Sequence, residues 1–167
     1  MAVSTETIRI LREKTGAGIM DCKRALEQSG GDMDRAADLL RTWGLATVAK
    51  KSSRAANQGI VEAYVHAGGR IGVLVELNCE TDFVARTPQF QQLAHDIALQ
   101  IAAMNPQVVE NERALEDLDS SQGEPRLLFQ PFIRDPSRTI RDIISDVVAR
   151  VGENIQVRRF IRFEIGA

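Results

Sequence analysis

Four side chains head the search for chemistry in this sequence: Cys22, His66, Cys79 and His95. An imidazole beside a thiol would make an activated nucleophile, and three or four such groups together would make a metal site. The spacing supports neither. The histidines lie 29 residues apart, and neither has ligand-type spacing to a cysteine. Cys22 falls on an apolar helix face and Cys79 follows a strand pattern, so both read as small packed hydrophobes. His66 reads as a polar residue at a hairpin end, and His95 as a solvent-side helix residue. Gly16-Ala17-Gly18 lacks the strand–helix frame of a dinucleotide fingerprint, and there is no GxxxxGK[ST] phosphate loop. With no clustered acid, base, nucleophile or metal set, the expectation is a protein that is not an enzyme and needs no cofactor or metal.

Two segments carry recognition chemistry instead. Leu11–Lys23 puts Arg12 ahead of a glycine turn and Met20 just after it. Methionine at such a position adapts to a partner surface, or else completes a helical core; spacing leaves both open. The second segment, Asn78–Arg86, lies between a strand pattern and a helix start at Thr87-Pro88. Phe83 precedes Phe90 by seven residues, which on one continuous helix would place it on the apolar face. Pro88 disfavours helical geometry at Thr87 and reads as a new start. Asp82-Phe83 would then form a separate turn capped by Thr81, with an outward aromatic beside a carboxylate as a protruding anchor. Pattern favours the core reading of Phe83 and leaves the protruding one open.

The elements that must position these segments fall into two modules. Residues 1–43 read as three short helices: one capped by Ser4 or Thr5 with Ile8 and Leu11 on a face, one over 19–29 with Ile19, Cys22, Ala25 and Leu26 at helical spacing, and one capped by Asp32 with Ala36, Leu39, Leu40 and Trp43 aligned. Residues 44–58 read as a linker, helical in part. From Gly59 the period becomes two. Val61, Ala63 and Val65 share a face, Gly68-Gly69 turns the chain, and Ile71, Val73, Val75 and Leu77 share a face, which is a hairpin signal. Phe90, Leu93, Ile97, Ile101 and Met104 mark a helix, residues 105–135 a long and mostly irregular connection, and Ile140 to Val151 a strongly amphipathic helix ended by Gly152. Ile155, Val157, Ile161, Phe163 and Ile165 mark a last strand. The fold class is α+β: a three-helix module, then a core over 59–167 with a three-stranded antiparallel sheet covered on one face by two helices.

Composition narrows the function classes. The 167 residues are 44% hydrophobic and 26% charged, with net charge -2, a globular composition without a disulfide framework. No apolar run reaches the roughly 20 residues of a spanning helix, and Met1–Thr7 lacks signal-peptide character. A cytoplasmic setting away from membranes is expected. Residues 1–58 carry ten Lys/Arg against seven acids, and residues 59–167 eleven Arg against sixteen. Neither balance suits a nucleic-acid surface, and Lys50-Lys51-Ser52-Ser53-Arg54 without interleaved aromatics reads as a solvated linker face.

Taken together, Leu11–Lys23, Val75–Arg86, Gly152-Glu153-Asn154-Ile155 and Arg159–Glu164 resemble the elongation factor Ts family, in order and over nearly the whole chain. Thr81-Asp82-Phe83-Val84 is the most specific stretch. The resemblance implies a module like a ubiquitin-associated domain ahead of the α+β core, and guanine-nucleotide exchange on elongation factor Tu in translation. It implies that Thr81, Asp82, Phe83 and Val84 disturb the Mg²⁺ site of that GTPase. Phe83 would act as the wedge and Asp82 as its polar guide, while Arg12, Ile19 and Met20 dock the first module. Ile19 stands where methionine is often seen, keeping an apolar contact that adapts less. Relatives commonly carry extra helical sequence where this chain has only residues 105–135. The single hairpin and final strand resemble the short form, implying a homodimer through the sheet, with Phe160 among the apolar residues of its second face. The rival reading is an interaction module whose three helices alone bind another partner.

Overall fold

The computed structural model describes residues 3–109 and 126–167. Helix α1 (Thr5–Thr15) is capped by the Ser4 hydroxyl, which accepts from Thr7 N–H at 3.1 Å. It ends at Gly16, whose φ of 68° is left-handed backbone suited to glycine. A side chain there would also strike the Arg150 guanidinium, which reaches across to donate to Thr15 O at 3.0 Å. Helix α2 (Ile19–Gln28) follows, then α3 (Met33–Lys51), capped by Asp32 Oδ1 accepting from Asp34 and Arg35 N–H. Leu11, Cys22, Ala25, Leu26 and Ala36 form the small core of this bundle.

Helix α3 runs further than its apolar face suggests. The segment 44–58, read as a linker, is helical through Lys51, and Gln58 already opens β1. The extension has a partner: α3 packs along α6 (Ile140–Val151), Val48 joins the larger core, and Arg41 meets Asp142 at 2.7 Å. Docking across the bundle–core joint favours helix where Ala, Lys and Ser alone leave the state open.

Strands β1 (Gln58–Val65), β2 (Ile71–Cys79) and β5 (Gln156–Glu164) form an antiparallel sheet in the order β1-β2-β5. The α+β class is as expected. Helix α5 (Pro88–Met104) starts at Pro88 with Thr87 as N-cap and lies across β1 and β2. Helix α6, closed by a Thr139–Asp142 capping box, packs against α5 and α3. Val73, Val75, Leu77, Phe90, Ile97 and Ile144 are among the residues of the shared core.

The β1 pattern gains a direction, and two expectations need correction. In β1 the face that meets the helices carries Ile60, Glu62 and Tyr64, opposite Leu77, Val75 and Val73, so Val61, Ala63 and Val65 point outward. In β5 the pairing slips: Val157 opposes Leu77 but Arg159 opposes Glu76, leaving Arg158 as a bulge. The extra residue inverts the alternation. Ile155 and Val157 therefore face the core, Phe160 opposes Val75 and packs on the same core, and Ile161 and Phe163 face outward. Phe160 is thus on the covered face. His95, taken as solvent-side, is half-buried, with Nδ1 3.2 Å from Glu62 Oε1 and its ring edge-on to Tyr64.

The connection 105–135 falls partly outside the described residues. Its described end is ordered: a 3₁₀ turn at Leu127–Phe129, then β3 (Pro131–Phe132) paired with β4 (Asp135–Thr139) in a second small sheet. Buried Gln100 of α5 anchors it. Its Nε2 donates to Gln130 Oε1 and Pro131 O, both at 3.1 Å, and its Oε1 accepts from Ile133 N–H at 3.0 Å.

Candidate docking surface

Between β2 and α5 lies a four-residue helical turn, α4 (Asp82–Ala85). Thr81 is its N-cap, the hydroxyl accepting from Val84 N–H at 3.4 Å. The turn divides its side chains by direction. Val84 and Ala85 are buried in the sheet core, and Phe83 is 79% exposed. Asp82 faces solvent and accepts from Arg86 at 2.9 Å. The core reading of Phe83 is therefore overturned: Pro88 does restart the chain, and the seven-residue spacing to Phe90 does not lie on one helix. Val84, by contrast, faces inward and holds the turn down, offering no outer surface.

The turn hangs on a carboxylate that sequence reasoning gave no role. Glu153 Oε2 accepts from the backbone N–H of Glu80 at 3.1 Å and of Thr81 at 3.0 Å, and Oε1 accepts from the Thr81 hydroxyl at 2.6 Å. Glu80 answers by accepting from Asn154 N–H at 2.7 Å. The signal was the stretch Gly152-Glu153-Asn154, but a helix-ending glycine followed by an acid does not reveal a partner more than seventy residues away.

On the bundle, Arg12 is exposed on the last turn of α1, while Ile19 and Met20 at the start of α2 are 56% and 71% exposed. Met20 therefore does not complete the bundle core, and Ile19 stands outside the stripe formed by Cys22, Ala25 and Leu26. Among the described residues no hydrogen bond or ion pair joins this group to Thr81–Val84, so two separate apolar protrusions are presented. A third apolar area is the outer sheet face, where Val61, Val65, Leu74, Ile161 and Phe163 are exposed. Cross-strand pairing sets Leu74 beside Ala63 and Ile161.

Burial pushes both the Cys22 and Cys79 thiols up, the direction that makes a thiol less reactive. Among the described residues no group of three His, Cys, Asp or Glu could hold a metal, and no helix is long and apolar enough to cross a membrane.

The described residues thus form an α+β chain that exposes apolar side chains at Ile19 and Met20, at Phe83 and on the outer sheet face. The family model described as Elongation factor TS matches residues 35–122. Proteins named Elongation factor Ts from Carboxydothermus hydrogenoformans, Thermodesulfovibrio yellowstonii and Synechococcus sp. (strain JA-3-3Ab) are 46%, 47% and 49% identical to it. The alignments cover 98%, 99% and 99% of this chain, and 89%, 98% and 70% of those proteins. The chain belongs to the elongation factor Ts family and is a translation elongation factor. Those alignments run over 194 to 197 positions, more than the 167 residues here, so the relatives carry internal residues this chain lacks.

Proposed function

We propose that this chain binds elongation factor Tu, both GDP-bound and nucleotide-free, and promotes GDP release by disturbing the Mg²⁺ and phosphate contacts so that GTP can rebind. It acts in the cytoplasm by binding and not by catalysing a chemical step. The observation that carries this reading is Phe83, an aromatic held out in solvent on a turn capped by Thr81 and anchored by buried Val84 and Ala85. A GTPase holds its nucleotide largely through phosphate and Mg²⁺ contacts. A rigid apolar wedge that deforms them weakens nucleotide binding, and by linkage the nucleotide weakens the wedge's own binding equally. Mutual displacement follows: the factor ejects GDP, and abundant GTP ejects the factor. Thr81 and Val84 hold the turn, Asp82 guides it, and Arg12, Ile19 and Met20 dock residues 1–43, a module like a ubiquitin-associated domain, on the same partner.

The exposed outer sheet face supports a second element of the reading, pairing of two chains through their core sheets. A contiguous apolar sheet face is the kind of surface that a second copy covers. Neither a nucleic acid nor a membrane is a partner in this reading.

The test is direct. Elongation factor Tu loaded with fluorescent GDP is mixed with this chain and excess unlabelled nucleotide. Accelerated loss of fluorescence is expected; an unchanged rate at micromolar chain rejects the proposal.

A further inference from the structure

Phe83 is 79% exposed, and α4 has only four residues, too few to be stable through helix propensity. Its direction must come from what holds the turn. Val84 and Ala85 supply one anchor, buried beneath it. The other lies upstream, in the polar knot around Glu153. We propose that Glu153 is a positioning residue for the Phe83 turn, its carboxylate setting the angle at which Phe83 leaves the core. This rests on the reading of Phe83 as the wedge.

The geometry favours that role over general glue. One carboxylate takes three donors, Glu80 N–H, Thr81 N–H and the Thr81 hydroxyl, all within 3.1 Å. These fix two successive residues at the point where β2 ends and α4 begins. The hydroxyl it holds is the same one that caps α4 at Val84 N–H, a bond of 3.4 Å that would orient the turn poorly by itself. Glu153 thereby fixes the rotamer of the cap. Hydrogen bonds to an ionised acceptor are stronger than neutral ones, and a carboxylate can satisfy three donors where an amide oxygen satisfies two.

The knot is reciprocal and reaches the bundle. Glu80 accepts from Asn154 N–H at 2.7 Å and lies 3.5 Å from the Arg54 guanidinium. Buried Asn154 donates through Nδ2 to Arg54 O at 2.8 Å and Ser52 O at 3.4 Å, at the exit of α3. Lys51 donates to Gly152 O. The end of the bundle's last helix, the α6–β5 turn and the Phe83 turn are therefore held together, which suits a factor that must grip a partner with one module and push with another.

Two variants and two readouts test this. Glu153→Gln removes the third acceptor site and introduces an amide N–H₂ that repels the donors; Thr81→Val removes the hydroxyl alone. In the free chain, amide hydrogen exchange at Val84, Ala85 and Arg86 should quicken about tenfold in either variant, with the β1–β2 ladder unchanged. In nucleotide release, Glu153→Gln should lower the maximal stimulated rate at saturating chain about tenfold, and should have no further effect in a Phe83→Ala background. Unchanged turn amides, equal loosening of turn and ladder, or losses that add to those of Phe83→Ala each overturn the proposal. If the wild-type chain stimulates no release, the exchange reading falls, and the amide measurement still decides whether Glu153 sets the turn.

Discussion

Arg41 of α3 and Asp142 of α6, 101 positions apart, meet at 2.7 Å and join the helical bundle to the sheet core. Asp142 is buried and also accepts from the backbone N–H and the hydroxyl of Thr139, both at 2.9 Å, as half of a capping box. Burial pushes its carboxyl up, but the Thr139 N–H, the Arg41 guanidinium and the Thr139 hydroxyl together outweigh it and hold the carboxyl below the usual aspartate range. A lowered native pKa stabilises the fold above the ordinary aspartate value, about 3.9, and that contribution is lost as pH falls through the native value. Asp142→Asn should therefore melt below the wild type at pH 6, with the gap closing as pH drops below the ordinary aspartate value. Melting curves of both proteins across this range check it, and a gap independent of pH would count against the ion pair.

Gln100 offers a stability prediction of a different kind. It is fully buried on α5, and its amide satisfies Gln130, Pro131 and Ile133 at once. Gln100→Leu keeps the volume but removes the bonds that Gln100 makes to Pro131 O and Ile133 N–H and one bond of Gln130, which should cost about 2 kcal/mol. Urea unfolding measures it. A neutral effect would mean that the β3–β4 hairpin is held by apolar packing alone.

Period and capping carried most of the fold. Ser4, Asp32, Thr81 and Thr87 all cap where their position before a helical pattern suggested, and α6 occupies the residues its stripe marked. What failed depended on long-range partners. The length of α3 is set by α6, a hundred residues away. The outward turn of Ile161 and Phe163 follows from a one-residue bulge at Arg158, which no local pattern announces. The exposure of Phe83 was undecidable from spacing because one aromatic seven residues before another fits both a helix and a break. Glu153 stood out only as part of the stretch Gly152–Ile155 and carried no role, since a hydrogen bond to Thr81 depends on the sheet that brings the two together.

Phe83 separates fold from function in one substitution. Because the ring is 79% exposed, Phe83→Ala should shift stability by no more than about 0.5 kcal/mol. A core phenylalanine would cost about 3–5 kcal/mol. The same variant should lose most of its acceleration of GDP release from elongation factor Tu. Thermal melting and the release assay, run on one preparation, give both answers. Full release activity with a normal melt would remove Phe83 from the proposed mechanism.

The outer sheet face makes the last prediction. Leu74 lies in its middle, flanked across the strands by Ala63 and Ile161, with Val65 and Phe163 exposed toward one end. If two chains pair through this face, a carboxylate at its centre is carried into the interface twice, once from each copy, and buried without a partner. Leu74→Glu should then dissociate the pair, since an unpaired buried charge costs about 3–5 kcal/mol. In a lone chain the same change falls on a solvated surface and should be nearly silent. Sedimentation at micromolar concentration distinguishes the cases: a dimer for the wild type and a monomer for the variant are expected. A wild-type chain that sediments as a monomer would show that this apolar face awaits something other than its own copy.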